Sequence, residues 1–238
     1  MKAVILAAGG HRSIKLRTGG VRNLFPPYMK PKCLFHVKGQ TILTRTVNAL
    51  RQGGVQDIRI VVGYRHKDVE KFIAKHGLDL EVVYNPDWDR DAVRSILEGI
   101  NGLEDDALIL FGDIIINAEI IRKFVECPEP IAWVKIKEKY GLAHHHEVLR
   151  GNRQVYIVKV AREKLNVFDM AYPNTDWYLG RYSFYKNVPL DSGIRILGCM
   201  YETIHRNQPV AEVFIDPPIV DVDLFKQTDE WSNKRLRE

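Results

Sequence analysis

Three short groups of residues near the N-terminus have the composition of a phosphate-binding site. They are Leu6-Ala7-Ala8-Gly9-Gly10-His11-Arg12, Lys30-Pro31-Lys32-Cys33-Leu34 and Val37-Lys38-Gly39-Gln40-Thr41-Ile42-Leu43. Glycines after a strand let backbone N–H groups approach phosphate oxygens, and a nearby arginine and lysine neutralise the charge that builds up during phosphoryl or nucleotidyl transfer. We therefore predict that these groups bind a triphosphate.

Carboxylates follow apolar segments further along the chain. Gly112-Asp113 comes directly after a very apolar run, and Asp221 and Asp223 stand two residues apart in Ile219-Val220-Asp221-Val222-Asp223. Residues two apart on a strand share a face, so both late aspartates could reach one ligand, or one could cap the final helix. Asp113 could likewise cap the helix that follows it.

The elements that must position these residues alternate between strand and helix. Apolar runs predict strands at 2–6, 58–62, 80–83 and 107–111, and helical spacing predicts helices at 41–50, 66–75 and around 93–100. Such alternation implies an α/β fold with a mainly parallel sheet, whose ligand site lies beyond the carboxyl ends of the strands. Gly9-Gly10 and Gly112-Asp113 both stand at such ends.

The second half of the chain is expected to be richer in β-structure. We predict a hairpin at 147–155, a helix around 189–206, a strand at 210–215 and a polar C-terminal helix. Internal repeats, low-complexity tracts and linkers are absent from the sequence. We therefore expect one domain over residues 1–238.

Composition limits the kinds of molecule that we expect the protein to bind. The chain has 238 residues, 35 Lys and Arg against 30 Asp and Glu, and a net charge of +5, an excess that suits a phosphate ester but is too dispersed to indicate nucleic acid. We find neither a run of about 18 apolar residues nor a signal peptide, so we expect no membrane partner and a cytoplasmic location. The three scattered cysteines suggest reduced thiols.

The N-terminal groups together resemble the sugar-phosphate nucleotidyltransferases, the nucleoside-diphosphate-sugar pyrophosphorylase family. Its signature is L-A-A-G-x-G-x-R, then P-K-x-L, then V-x-G-x-P-I-L. Similar later segments are Asn85-Pro86-Asp87-Trp88 with Ser95-Ile96, Gly112-Asp113, Leu179-Gly180-Arg181-Tyr182-Ser183-Phe184 and the D-V-D segment at 221–223. The chain departs from the signature at His11, which replaces the second glycine, in its long 10–32 loop and at Asp91-Ala92, where many relatives carry paired asparagines.

The resemblance implies a Rossmann-like three-layer sandwich with a mostly parallel central sheet and a smaller β-rich acceptor region. Residues 1–130 would form the nucleotide-binding part and residues 131–238 the β-rich acceptor part with its C-terminal helix. Because several such relatives are dimers, a homodimer is a further expectation.

The resemblance also implies a role for individual residues. Arg12 and Lys32 would be catalytic, with Arg17 as an alternative to Arg12. The nucleotide would contact Leu6, Ala7, Ala8, Gly9, Gly10, Asn85, Ser95 and Gly112. The acceptor would contact Lys159 and Gly180. Mg²⁺ would be held by Asp113 with Asp221 or Asp223, since this hard cation suits carboxylates, triphosphate oxygens and water.

The reaction expected from this resemblance joins a nucleoside triphosphate to a small phosphorylated acceptor and releases pyrophosphate. The brevity of the chain and its late D-V-D segment favour CTP, and the acceptor would be a sugar phosphate, a polyol phosphate or a phosphonate. Two alternatives are a non-catalytic nucleotide-sensing domain of the same fold and a GT-A-type glycosyltransferase that uses Asp221-Val222-Asp223. An NAD-linked oxidoreductase is disfavoured because the first strand is not followed by G-x-G-x-x-G.

Overall fold

A seven-stranded sheet runs through the part of the chain described by the computed structural model, which comprises residues 1–9, 30–88, 92–136, 157–168, 209–215 and 220–221. The strands are β1 (Lys2–Ala7), β2 (His36–Val37), β3 (Gln40–Thr41), β4 (Ile58–Val62), β5 (Glu81–Tyr84), β6 (Ala107–Phe111), β7 (Ile114–Ile115), β8 (Ile131–Ile136), β9 (Ile157–Val160), β10 (Ala211–Ile215) and β11 (Val220–Asp221). The helices are α1 (Ile42–Gln52), α2 (His66–Lys75), α3 (Ala92–Ile100) and α4 (Ala118–Glu126), and 3-10 turns lie at Lys32–Leu34 and Arg162–Lys164.

The strand order of the sheet is β10-β8-β9-β6-β1-β4-β5. Strand β1 pairs in parallel with β4 and β6, β4 with β5, and β8 with β10, whereas β9 runs antiparallel between β6 and β8. The mostly parallel sheet predicted from the sequence is confirmed. The described strands of the second half extend this sheet, apart from β11, which pairs with β7.

Helices cover both faces of the sheet, which gives three layers. Side chains of α1, α2 and α4 pack with Ile5, Ile60 and Leu108 on one face. Helix α3 packs with Val4 and Val61 on the other. Strand β1 is apolar throughout its centre because neighbouring strands and both helical layers bury it, as is typical of parallel sheets.

Side-chain caps fix where two of the helices begin. The Thr41 hydroxyl accepts the N–H of Thr44 at 3.2 Å at the start of α1, and the Asn117 side chain accepts the N–H of Ile120 at 3.0 Å at the start of α4. Asn117 therefore caps the helix after Asp113, and the alternative that Asp113 is that cap is wrong.

An ion-pair network ties the sheet to α3 near the start of β4. The Arg59 guanidinium donates to the carbonyls of Gly99 and Asn101 at 2.9 and 2.8 Å and lies 2.7 Å from Glu81 Oε1. Lys2 Nζ lies 2.7 Å from the other carboxylate oxygen of Glu81. The network therefore links β1, β4, β5 and the C-terminal end of α3.

Several predicted bounds agree with the structure, and others are not tested by it. Strands β4 and β6 and helix α2 begin and end at the predicted residues, whereas α4 was not predicted. The predicted hairpin at 147–155, the helix around 189–206 and the C-terminal helix lie outside the described residues. Within the described ranges, the helices are all too short or too polar to cross a membrane.

Candidate functional site

The carboxyl end of β1 lies against the carboxyl end of β6. Leu6 is in register with Phe111, and the Gly112 N–H donates to the Leu6 carbonyl at 2.9 Å. A Cβ atom on Gly112 would lie 2.9 Å from Ala7 Cβ and 3.0 Å from Ala7 Cα. Because Gly112 has no Cβ, the carboxyl ends of β1 and β6 can approach each other. The next residue, Asp113, lies beside the end of β1.

The other side of β1 is held by the turn that follows β4. The Tyr64 N–H donates to the Ala8 carbonyl at 2.9 Å, and a Cβ atom on Gly63 would lie 2.2 Å from Trp88 Cβ. The Tyr64 and Trp88 rings form a tilted pair with centroids 5.4 Å apart. Gly63 directly follows an apolar strand, as Gly112 does, and this signal could have added Gly63 and Tyr64 to the predicted site.

Gly9 is exposed at the carboxyl end of β1, between the turns that follow β4 and β6. Among the described residues, no atom lies within 4 Å of the position that its Cβ would occupy. Packing against this part of the protein therefore gives no reason for a glycine here, and the backbone is left accessible. Leu6, Ala7 and Ala8, which precede it, are buried.

Lys32 and Asp113 form an ion pair beside the carboxyl ends of β1 and β6. Lys32 Nζ lies 2.9 Å from Asp113 Oδ2, and their side chains are 17% and 22% exposed. The lysine is held by the 3-10 turn, in which the Leu34 N–H donates to the Pro31 carbonyl at 2.9 Å and the next two side chains, Cys33 and Leu34, are buried. Residues 81 positions apart thus form a charged pair beside the ends of β1 and β6.

Cys33 lies beside this pair. Burial, reinforced by the negative charge of Asp113, raises the pKa of its thiol to about 12. The thiol is therefore neutral at physiological pH and serves as an apolar packing group rather than a nucleophile.

The first residue of the late D-V-D segment, Asp221, lies beside the same strand end. In the antiparallel β7–β11 pair, Asp221 is opposite Ile114, the residue that follows Asp113. The backbone thus brings Asp221 next to Asp113, while Asp223 lies outside the described residues.

The Asp113 carboxylate fits a divalent metal ion that is shared with bound phosphates. Asp113 presents a partly exposed carboxylate, and the Asp221 backbone lies alongside it. The described residues contain no cluster of three or more His, Cys, Asp or Glu that could hold a metal ion. Mg²⁺ is commonly bound by one or two carboxylates together with substrate phosphates and water, and this arrangement fits that pattern.

Asn85 and Ser95 form a buried pair beside Trp88. The Asn85 amide donates to Ser95 Oγ at 3.0 Å, and its carbonyl oxygen accepts the Asp87 N–H at 2.9 Å. Asn85 is fully buried and Ser95 is 5% exposed. Their side chains therefore fix the described residues that follow β5, which include Trp88.

Lys159 is not brought to the Lys32–Asp113 pair. It is opposite Leu108 at the N-terminal end of β6, is 6% exposed, and donates from Nζ to the Cys127 carbonyl at the end of α4. This position, away from the carboxyl ends of the parallel strands, does not support the predicted contact of Lys159 with the acceptor. Gly10, Arg12, Arg17 and Gly180 lie outside the described residues.

Comparison with known proteins identifies relatives of this chain. A bifunctional IPC transferase and DIPP synthase from Rubrobacter xylanophilus is 36% identical over 127 residues, 52% of this chain and 26% of that protein. A CMP-5'-(3-aminopropyl)phosphonate synthase from Streptomyces rubellomurinus is 30% identical over 135 residues, 56% of this chain and 20% of that protein. The match thus spans 26% and 20% of the length of these two relatives.

The fold also matches a solved structure over its whole length. A nucleotidyl transferase from Methanothermobacter thermautotroptrophicus superposes with a TM-score of 0.64 at 20% identity, covering 100% of this chain and 98% of that one. The model of the MobA-like NTP transferase domain matches residues 3–235. The chain therefore belongs to this family of nucleotidyltransferases.

Proposed function

We propose that this protein transfers a cytidylyl group from CTP to a small phosphorylated acceptor and releases pyrophosphate. The acceptor would be a sugar phosphate, a polyol phosphate or a phosphonate. The observation that carries the proposal is the Lys32–Asp113 pair, 2.9 Å apart, at the carboxyl ends of β1 and β6. CTP is favoured because the Streptomyces relative is named for a CMP-linked phosphonate.

The reaction brings two anions together, so the residues must mainly position them and offset their charge. An oxygen of the acceptor phosphate attacks the α-phosphorus in line, the bond from that phosphorus to the bridging oxygen breaks, and pyrophosphate leaves. Lys32 would contact both the α-phosphate and the attacking oxygen, and the exposed Gly9 backbone would donate to phosphate oxygens. Mg²⁺, held by Asp113 and Asp221 or Asp223, would supply further positive charge on the phosphates when bound.

The strand order suggests which way the nucleotide lies. If the phosphates sit over the end of β1 and the metal beside β6, the nucleoside extends toward β4 and β5. There the Tyr64–Trp88 pair, 5.4 Å between ring centroids, offers an aromatic surface held in place by Asn85 and Ser95. A nucleobase can stack on such a surface.

The test is a matrix of four nucleoside triphosphates against sugar phosphates, polyol phosphates and phosphonates. Pyrophosphate release would be followed with Mg²⁺, and the product identified by ³¹P NMR. We expect turnover with CTP and one acceptor class. We expect Lys32→Met and Asp113→Asn each to lower kcat/KM by about 10²–10³.

Matched controls are Lys123→Met and Asp105→Asn, whose side chains form surface ion pairs with Glu119 and with the N-terminus. These variants should keep full activity. Nucleotide binding without turnover in every combination would contradict the proposal and favour the sensing domain. Turnover of a nucleotide sugar alone would favour the glycosyltransferase.

A further inference from the structure

The Lys32 ammonium lies against one of the two carboxylate oxygens of Asp113 that could bind a metal ion. It lies 2.9 Å from Asp113 Oδ2, and both side chains are largely shielded from water, at 17% and 22% exposure. Shielding strengthens the attraction between the ammonium and the carboxylate. A divalent cation that approaches Asp113 must therefore displace the lysine or bind against its positive charge.

Among the described residues, little compensates for that displacement. Beyond Asp113, the described backbone brings one further carboxylate-bearing residue, Asp221, to the same place, and the described residues form no cluster of three metal-binding groups. Mg²⁺ dehydrates reluctantly and gains most of its remaining ligands from substrate phosphates. Metal binding before the nucleotide arrives is thus opposed by Lys32 and weakly supported by the other described residues.

A nucleoside triphosphate changes this balance. Its α-phosphate offers the lysine a second anionic partner, and the flexible four-carbon stem of lysine allows the ammonium to move between neighbouring anions. When the ammonium moves to the phosphate, Asp113 becomes available to the cation. The same phosphates also complete the coordination of that cation.

We propose that Lys32 acts as an internal counter-ion that blocks the divalent-cation site at Asp113 until a triphosphate draws it away, an inference that rests on the proposed function. Lys32 thereby couples metal binding to nucleotide binding, in addition to its catalytic role. Such coupling is reciprocal, so the nucleotide raises the affinity for metal and the metal raises the affinity for nucleotide. The coupling also limits metal occupancy of a site that holds no substrate.

The experiment measures Mn²⁺ binding to the nucleotide-free protein by the loss of the free-ion EPR signal. Lys32→Met should bind Mn²⁺ about tenfold more tightly than the wild type, within the usual range of such coupling. Lys32→Arg keeps the positive charge and should retain weak Mn²⁺ binding. Asp113→Asn should lose the tightened binding when combined with Lys32→Met, and Lys123→Met should match the wild type.

An Mn²⁺ affinity that is unchanged or weaker in Lys32→Met would overturn the proposal, as would tight Mn²⁺ binding by Lys32→Arg. Thermal unfolding of each variant verifies that it is folded, and Lys32→Gln replaces the methionine variant if that one does not fold. The titration contains no nucleotide, so its result is independent of turnover. A failure of the proposed function would appear instead as absence of pyrophosphate release by the wild type.

Discussion

Gly112 and Gly9 lie at the ends of neighbouring strands, but the reason for a glycine differs between the two positions. A Cβ on Gly112 would meet Ala7 at 2.9 Å, whereas a Cβ on Gly9 would meet no described atom within 4 Å. We expect Gly112→Ala to lower the free energy of unfolding by about 1–3 kcal/mol, because backbone and a short side chain must shift. Gly9→Ala should change it by less than about 0.5 kcal/mol but weaken CTP binding.

Urea unfolding and calorimetric titration with CTP would separate these effects. Each glycine variant serves as the control for the other. Equal stability of the two variants would contradict the close approach inferred at Gly112, and unchanged CTP affinity in Gly9→Ala would argue against phosphate binding at that turn.

The Cys33 thiol should resist alkylation in the native protein. Because the pKa of the buried thiol is raised to about 12, only about one molecule in 10⁴ carries a thiolate at pH 8. Iodoacetamide should therefore modify Cys33 far more slowly than the half-buried Cys127, and urea should remove the difference. Pulse labelling with peptide mass spectrometry measures both rates, and equally fast native labelling would contradict the burial of Cys33.

At the scale of elements, Lys159 joins β9 to the end of α4. Its Nζ donates to the Cys127 carbonyl, and a lysine at a helix C-terminus also interacts favourably with the helix dipole. We expect Lys159→Met to lower the free energy of unfolding by about 1–3 kcal/mol and to leave the acceptor KM unchanged. The exposed Lys71→Met is the control, and a raised acceptor KM at unchanged stability would restore the acceptor role of Lys159.

Some elements could be predicted because their sequences carry one dominant period. The apolar runs that became β4 and β6 and the spaced apolar residues of α2 have clear ends, so their predicted bounds agree with the structure. The family resemblance drawn from the glycine and Pro31-Lys32 segments is also confirmed. Asp113 is expected at the carboxyl end of a parallel strand, whereas Lys32 is expected near the same site only because the Pro31-Lys32 segment resembles the family signature.

Other features depend on tertiary contacts that residue types do not specify. Lys159 stands in an apolar strand, and the sequence alone does not indicate that its ammonium reaches a helix end rather than a ligand. The antiparallel insertion of β9 between β6 and β8 likewise requires pairings between distant segments. The Tyr64–Trp88 pair joins two turns that are distant in the sequence. No short-range spacing of residues therefore predicts it.

At the scale of the whole molecule, the Lys2–Glu81–Arg59 network predicts a pH dependence of stability. The Arg59 hydrogen bond, followed by that of Lys2, lowers the pKa of Glu81 below its ordinary value of 4.5. Its stabilising contribution is therefore complete above pH 4.5 and is lost as the pH falls through the lowered pKa. The bond to Glu81 raises the pKa of Lys2, whose contribution is complete below pH 10.5 and lost as the pH rises through the raised value.

Urea unfolding of the wild type and Glu81→Gln between pH 7 and pH 3 measures this contribution. The variant should be less stable at neutral pH by less than about 1 kcal/mol, since the Glu81 side chain is 42% exposed. The difference should shrink in acid. Glu119→Gln, at 68% exposure, is the control, and a difference that stays constant with pH would contradict a role for Glu81 ionisation.

The position of β9 has a consequence for synthesis on the ribosome. Strands β1, β4, β5 and β6 can pair as soon as the chain has emerged to Phe111, but β6 then awaits its other neighbour, which begins at Ile157. Translation at about 5–20 residues per second leaves the β6 edge unpaired for several seconds. During that interval the nascent chain exposes a strand edge open to intermolecular pairing, so chaperone protection matters most between these two points of elongation.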